Sequence, residues 1–246
     1  MTVTTAGSGR QNTELRAAAE PALRTLGTVT VVGVGCGIFV VGVLSRLAMF
    51  LLAHLNPTTA GVTSDDGFVI GQFTLSGSLN LALIVGPLFG IIGAGFYLAL
   101  RGLAVGPPWF RLLCLSLGPG VVVGAFIVHP DGVDFTMLDP LWLAVLLFVL
   151  VPTVYVALLH VLAERALAGP PWPRWATYVG VAVWLPALPG FLVLAAGWAT
   201  LYALRRNETG AALLDHPAPR WIARGALAAI FAFSVMDIVS DVRLLT

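Results

Sequence analysis

Seven side chains in this sequence have the types and grouping to hold a cation: Asp65, Asp66, His129, Asp131, Asp134, Asp237 and Asp241. The first two belong to "GVTSDDGFVIGQFTL" (61–75), the next three to "HPDGVDFTML" (129–138). Asp237 and Asp241 stand four residues apart, which puts them on one face of a helix. Carboxylate oxygens would suit Ca²⁺ or Mg²⁺, and imidazole would admit Zn²⁺. The spacing matches no dedicated metal loop, however. Asp-Gly is an ordinary turn former and His129-Pro130 an ordinary chain break, so structural turns explain the same residues. A divalent cation is therefore the one cofactor the sequence could call for, and no other is implied.

Catalytic templates find less support. Asp-x-x-Asp (Asp131, Asp134) and Asp-x-x-x-Asp (Asp237, Asp241) have the spacing of the Mg²⁺–pyrophosphate motifs of membrane prenyltransferases and CDP-alcohol phosphotransferases. The glycine and arginine partners of the latter are absent, and the chain is short for the former. Gly-x-Ser-x-Gly, His-Glu-x-x-His and a phosphate loop are all missing, so no catalytic residue is assigned. His160 and Glu164 form an i,i+4 pair at one end of an apolar run, where a hydrated, snorkelling pair is expected rather than a proton relay. Arg46 would cost about 3 kcal/mol to hold in a bilayer unless it snorkels or pairs. It is a candidate for a structural ion pair, with Asp65 or Asp66 the acids nearest in sequence.

These residues are set in a chain of 246 residues that is 58% hydrophobic and only 10% charged. That balance cannot cover a water-soluble surface and predicts an all-α, polytopic membrane bundle. A net charge of +1 argues against nucleic acid as a partner. Residues 1–25 read as a polar tail containing a short surface helix that Pro21 should end or kink. Residues 26–246 read as one transmembrane domain. Its expected spans are 26–55, 79–100, 110–128, 141–162, 175–204 and 221–239, with outer loops at 56–78 and 129–140. Arginines fall in the tail and in the loops after spans two and four, and none falls in the two aspartate loops. By the positive-inside rule the N-terminus is cytoplasmic, the aspartate loops face outward, and the location is the cell (inner) membrane.

The sequence repeats itself. "RGLAVGPPWFR" (101–111) is echoed by "RALAGPPWPR" (165–174), and each aspartate loop carries Asp-Gly followed by Phe-Thr. The first four spans therefore look like a duplicated two-helix hairpin, although Pro-Pro-Trp and Asp-Gly are also simply good turns. The region 175–204 can be read two ways. As one kinked span it gives six segments, but it strands Arg205, Arg206 and Arg220 outside. As a hairpin turning at "LPALPG" (185–190) it gives seven, and the matching "PWPRW" (171–175) and "PAPRW" (217–221) then share a side. Seven is the favoured count. Small residues at four-residue spacing (Gly33/Gly37, Gly86/Gly90/Ala94, Gly120/Gly124, Ala228/Ala232) should pack helices within the chain, and could also join two copies. Gly118-Pro119-Gly120 should kink or unwind span three.

The block "RLAMFLLAHLNP…GVTSDDGFVIGQFTL", followed by "HPDGVDF" and "PLWLAV", resembles multi-pass membrane proteins of GC-rich actinobacterial type whose activity is not known. The resemblance covers about the first two-thirds of the chain and implies a family without a function. Three classes of function follow from the residues themselves. A membrane accessory or structural protein needs only packing faces and ordered outer loops, and is expected first. A membrane-embedded enzyme or cation-binding protein would use the outer carboxylates. A small-solute transporter should carry charges at mid-span, where the sequence has only glycine and proline.

Overall fold

The computed structural model describes residues 6–59, 61–63, 69, 74–185 and 216–245, with side chains from Glu20 onward except those of Val133 and Asp134. Among the described residues the secondary structure is helical, apart from a single bridge between Thr63 and Val69. The chain opens with α1 (Ala6–Cys36), a π-helical stretch (Gly37–Leu44) and α2 (Ser45–Leu55), which run on as one rod. Next come α3 (Leu75–Asn80), a second π-helical stretch (Leu81–Val85) and α4 (Gly86–Leu100). Then follow α5 (Pro108–Ile127), the short α6 (Val133–Thr136), α7 (Leu141–Ala168), α8 (Arg174–Ala182) and α9 (Ala218–Leu245). Five of these helical rods are long and apolar enough to cross a membrane: Glu20–Leu55, Leu75–Leu100, Pro108–Ile127, Leu141–Ala168 and Ala218–Leu245. Their outward faces carry large apolar side chains such as Phe126, 80% exposed, a surface suited to lipid and not to water.

The polar tail is not a separate surface helix. Pro21 lies inside α1 instead of ending it, and α1 runs unbroken into the first apolar rod. Pro119 likewise sits inside α5, so of the kink or unwinding expected at Gly118-Pro119-Gly120 the unwinding does not occur. For Pro119, within an apolar span, each freed backbone group must find a partner inside the protein, so one missing N–H costs less than opening the helix around it.

Glycine sets how closely the rods approach. A methyl group added at Gly33 would stand 2.6 Å from the Gly90 carbonyl oxygen and 2.8 Å from Ala94 Cβ. The contacts continue through Gly37 with Gly86 and Gly42 with Ala82, so the two π-helical stretches lie against each other. In the second pair, Gly120 meets Thr153 and Gly124 meets Val149, holding α5 against α7. Thus three of the four small-residue faces pack within the chain, whereas Ala228 and Ala232 on α9 stay exposed. The main core joins the two pairs: Val29, Cys36 and Val40 pack with Tyr97, Tyr155 and Leu159. Tyr155 adds a buried hydrogen bond from its hydroxyl to the Gly90 carbonyl, 2.9 Å.

Cross-links between helices define two ends. At one end, Arg24 Nη2 donates to the Gly169 carbonyl (3.2 Å), and Arg224 Nε donates to the Leu103 carbonyl (2.9 Å). At the other, Leu52, Val128, Phe135, Leu138 and Ala144 form a second core against which Leu245 packs. Arg101, Arg111, Arg165, Arg174 and Arg220 belong to the first end. His129, Asp131, Asp139 and the last turns of α9 belong to the second. Helices α5, α8 and α9 all enter the bundle from the arginine-rich end, each after a proline whose carbonyl accepts a first-turn amide. The bonds are Phe110 N to Pro107 O (3.0 Å), Ala176 N to Pro173 O (3.0 Å) and Trp221 N to Pro217 O (3.2 Å).

Candidate functional site

Four described polar side chains meet in an interhelical cluster at the arginine-rich end. Tyr97 lies near the end of α4, Arg101 just past it, and His160 and Glu164 one turn apart on α7. Gly90 and Ala94 hold α4 against α1, and Gly93 lies against the Tyr155 ring of α7, which brings these four together. The Tyr97 hydroxyl donates to Glu164 Oε1 at 2.8 Å and lies 3.0 Å from His160 Nδ1. Arg101 Nη2 is 3.5 Å from the same carboxylate oxygen. A tyrosine has one hydroxyl proton and a carboxylate only accepts. With that proton given to Glu164, His160 Nδ1 must be the donor to the tyrosine oxygen, and the neutral imidazole keeps its lone pair on Nε2. The sequence singled out His160 and Glu164 but missed Tyr97 and Arg101. The available signal was their own i,i+4 spacing at the matching end of the neighbouring span.

At the opposite end the seven candidate cation ligands are only partly brought together. Asp65 and Asp66 lie outside the described residues, and for Asp134 only the backbone is described, within α6. His129 and Asp131 are exposed on the turn after α5, Asp237 is exposed on α9, and Asp241 is half-buried there. Among the described residues no group of three or more His, Cys, Asp or Glu is disposed to hold a metal ion. What this end does contain is a clamp that the sequence reading missed. Asn56, buried at the end of α2, donates from Nδ2 to the Asp139 carbonyl (2.8 Å) and to the Leu52 carbonyl (2.9 Å). Its Oδ1 accepts from the Asp139 amide at 2.8 Å, so one side chain fixes both backbone groups of a residue 83 positions away.

Arg46 is half-buried on α2 with its guanidinium against Gly77, where an added methyl group would stand 2.5 Å from Nη2. Its expected partners, Asp65 and Asp66, fall in the segment that is not described. The look-alike loops also use their matching threonines differently. Thr74 caps α3, accepting from the Gly77 amide at 3.3 Å, whereas Thr136 closes α6 by donating to the Gly132 carbonyl at 3.0 Å. The chain matches no family model, no curated protein and no solved structure.

Proposed function

We propose that the protein is a membrane accessory protein. In this reading it is a seven-segment helical bundle of the cell membrane, with its N-terminus and arginine-rich end in the cytoplasm and its aspartate-rich end outside. The observation that carries this reading is where the interior polar groups are spent. Tyr155 bonds the Gly90 carbonyl, Thr153 the Val149 carbonyl and Ser116 the Leu112 carbonyl, while Trp184 Nε1 donates to Thr30 Oγ1 at 2.9 Å. Each holds a helix or joins two, and the charged residues gather at the two ends. That is the construction of a rigid scaffold presenting two polar faces. The positive-inside rule supports the orientation. Helices α8 and α9 both begin at the arginine-rich end, which supports a returning segment between them and hence seven. The two antiparallel helix pairs and repeated loops are consistent with a duplicated hairpin, and the exposed Ala228/Ala232 face of α9 is where a second copy could pack. Quantitative membrane proteomics of a deletion strain tests the function. An accessory role expects one or a few membrane proteins to fall in abundance and to recover on complementation, and an unchanged membrane proteome would overturn it.

A second reading gains from one observation. Leu245 packs against the same core as Val128 and Leu138, so α9 brings Asp237 and Asp241 to the end that holds His129 and Asp131. A divalent cation bound among these groups, with Asp65, Asp66 and Asp134, would stabilise the folded protein in proportion to RT ln(1 + [L]/Kd). Thermal denaturation in Ca²⁺, Mg²⁺ or Zn²⁺ should then show a rise that Asp131→Asn and Asp237→Asn abolish. No rise with any of the three rejects the cation reading and leaves these loops as turns.

A further inference from the structure

The last helix is the least buried of the five rods and packs mainly along α5. Phe231, Ser234, Ile238 and Leu245, buried or half-buried, recur at helical spacing and mark the face turned to that neighbour. Asp237 is exposed at the edge of this face, and among the described residues its carboxylate makes neither a hydrogen bond nor an ion pair. Its neighbours along the helix are Phe233, Ser234, Ser240 and Asp241, so α9 itself offers it no cation. Depth makes this carboxylate costly. Arg224 at the start of α9 is level with Leu103, just before α5, and Leu245 at its end packs with Val128, just past α5. Between those levels α5 runs for 20 residues, about 30 Å, the thickness of a hydrocarbon core. Asp237 stands two turns back from Leu245, about 12 Å inside the outer boundary. An aspartate is too short to climb to the headgroups as lysine and arginine do, so a charge here needs a partner at its own depth. Among the described residues no cation is placed to answer it. Arg46 lies against Gly77, and Arg243 is a turn and a half further along α9 and round the helix from Asp237. The segment 186–204 contains no arginine, lysine or histidine at all.

We infer that the Asp237 face of α9 docks a transmembrane helix of a partner protein, one that carries an arginine or lysine in the extracytoplasmic half of its span to pair with Asp237. The inference rests on the accessory role proposed above and names the chemistry of the protein that is served. The same face carries Ala226, Ala229, Phe233 and Ser240, all exposed, and small residues are what let a second helix come close in lipid. An interhelical ion pair neutralises two charges that neither helix holds comfortably in hydrocarbon alone, and it selects the partner by the depth of its basic residue. A second copy of this chain suits the face less well, because it would bring its own Asp237 to the same contact as a like charge.

Photocrosslinking of the full-length protein in its native membrane tests this. A benzophenone analogue of phenylalanine at Phe233 should capture one transmembrane segment, and peptide mapping should find an arginine or lysine in the outer half of that segment. The same probe at Val239, on the opposite side of α9, should not capture it. Asp237→Asn should lower the yield about tenfold, whereas Asp237→Glu, which keeps the charge, should retain most of it. Capture of lipid alone, of a second copy, or of a segment without a basic residue overturns the inference, and so does an undiminished yield in Asp237→Asn. If Asp237→Asn does not accumulate in the membrane, the segment mapped from the otherwise wild-type chain still decides. Should the deletion strain lose particular membrane proteins while Phe233 captures none of them, this inference falls and the accessory role stands. An unchanged membrane proteome beside an intact, Asp237-dependent capture would do the reverse.

Discussion

Single side chains in this bundle divide sharply into those with no room to change and those with plenty. A methyl group at Gly33 meets the Gly90 carbonyl and Ala94, whereas one at Gly35 or Gly118 meets nothing within 4 Å. Gly33→Ala should therefore lower stability by about 1–3 kcal/mol through overpacking. Gly35→Ala should be neutral or gain up to about 1 kcal/mol from helix propensity. Thermal denaturation in detergent separates them, and equal effects would mean that α1 and α4 are not held by glycine contacts. The Tyr97 cluster makes a second prediction. If the proton count given above is right, ¹⁵N spectra of neutral His160 show the proton on Nδ1, and Tyr97→Phe releases that preference. A proton found on Nε2 in the wild type would reject the arrangement. Much at this scale was legible: the spacing of Gly33, Gly37, Gly86 and Gly90 named the contact face, because in lipid close approach is the main source of attraction. The partners of His160 and Glu164 were not, since a single sequence gives the face of each helix but not which neighbour it meets.

Among the elements, the loop from His129 to Pro140 depends on a residue from a different hairpin. Asn56 supplies a donor and an acceptor to the backbone of Asp139, and Phe135 packs on Phe148 beneath the same loop at 5.1 Å between ring centroids. Asn56→Asp is nearly isosteric but cannot donate to the Asp139 carbonyl. It should cost about 1–3 kcal/mol of local stability and speed hydrogen exchange across 129–140 while leaving α5 and α7 protected. Unchanged exchange in that loop would show that the clamp is dispensable. Helix existence was readable along most of the chain, because an apolar run of about 20 residues has few other solutions. Helix breaks were read less well. Pro21 was expected to end or kink a helix and Pro119 to kink or unwind one, yet α1 and α5 run through both prolines; at Pro119, inside an apolar span, no water competes for the freed backbone groups. The π-helical stretches left no signature in composition. They arise where Gly37 and Gly42 meet Gly86 and Ala82, a property of the pair and not of either segment.

For the whole molecule the governing feature is that most arginines lie at one end and the described aspartates at the other, with Arg46 and Arg243 the exceptions, and the path of the last helix is central to it. Arg224 fixes the start of α9 beside Leu103, and Leu245 fixes its end against the core under the His129 loop. From Ala218 to Leu245 the helix rises about 42 Å, at about 1.5 Å per residue, enough to cross a hydrocarbon core of about 30 Å. The sequence left this open because 175–204 could be one span or two, and the residues that decide it from within lie outside the described segments. The neighbouring helices favour the hairpin reading proposed above, since α8 and α9 both start at the arginine-rich end. A sidedness reporter fused after Thr246 should accordingly read extracytoplasmic, while one fused before Ala6 reads cytoplasmic. Moving the reporter to the junction at Pro217 should return it to the cytoplasm, as the Arg220 and Arg224 placement requires. If Thr246 reads cytoplasmic, α9 does not cross as drawn. Asp237 and Asp241 would then be parted from His129 and Asp131 by the full bilayer, which would dissolve the cation reading.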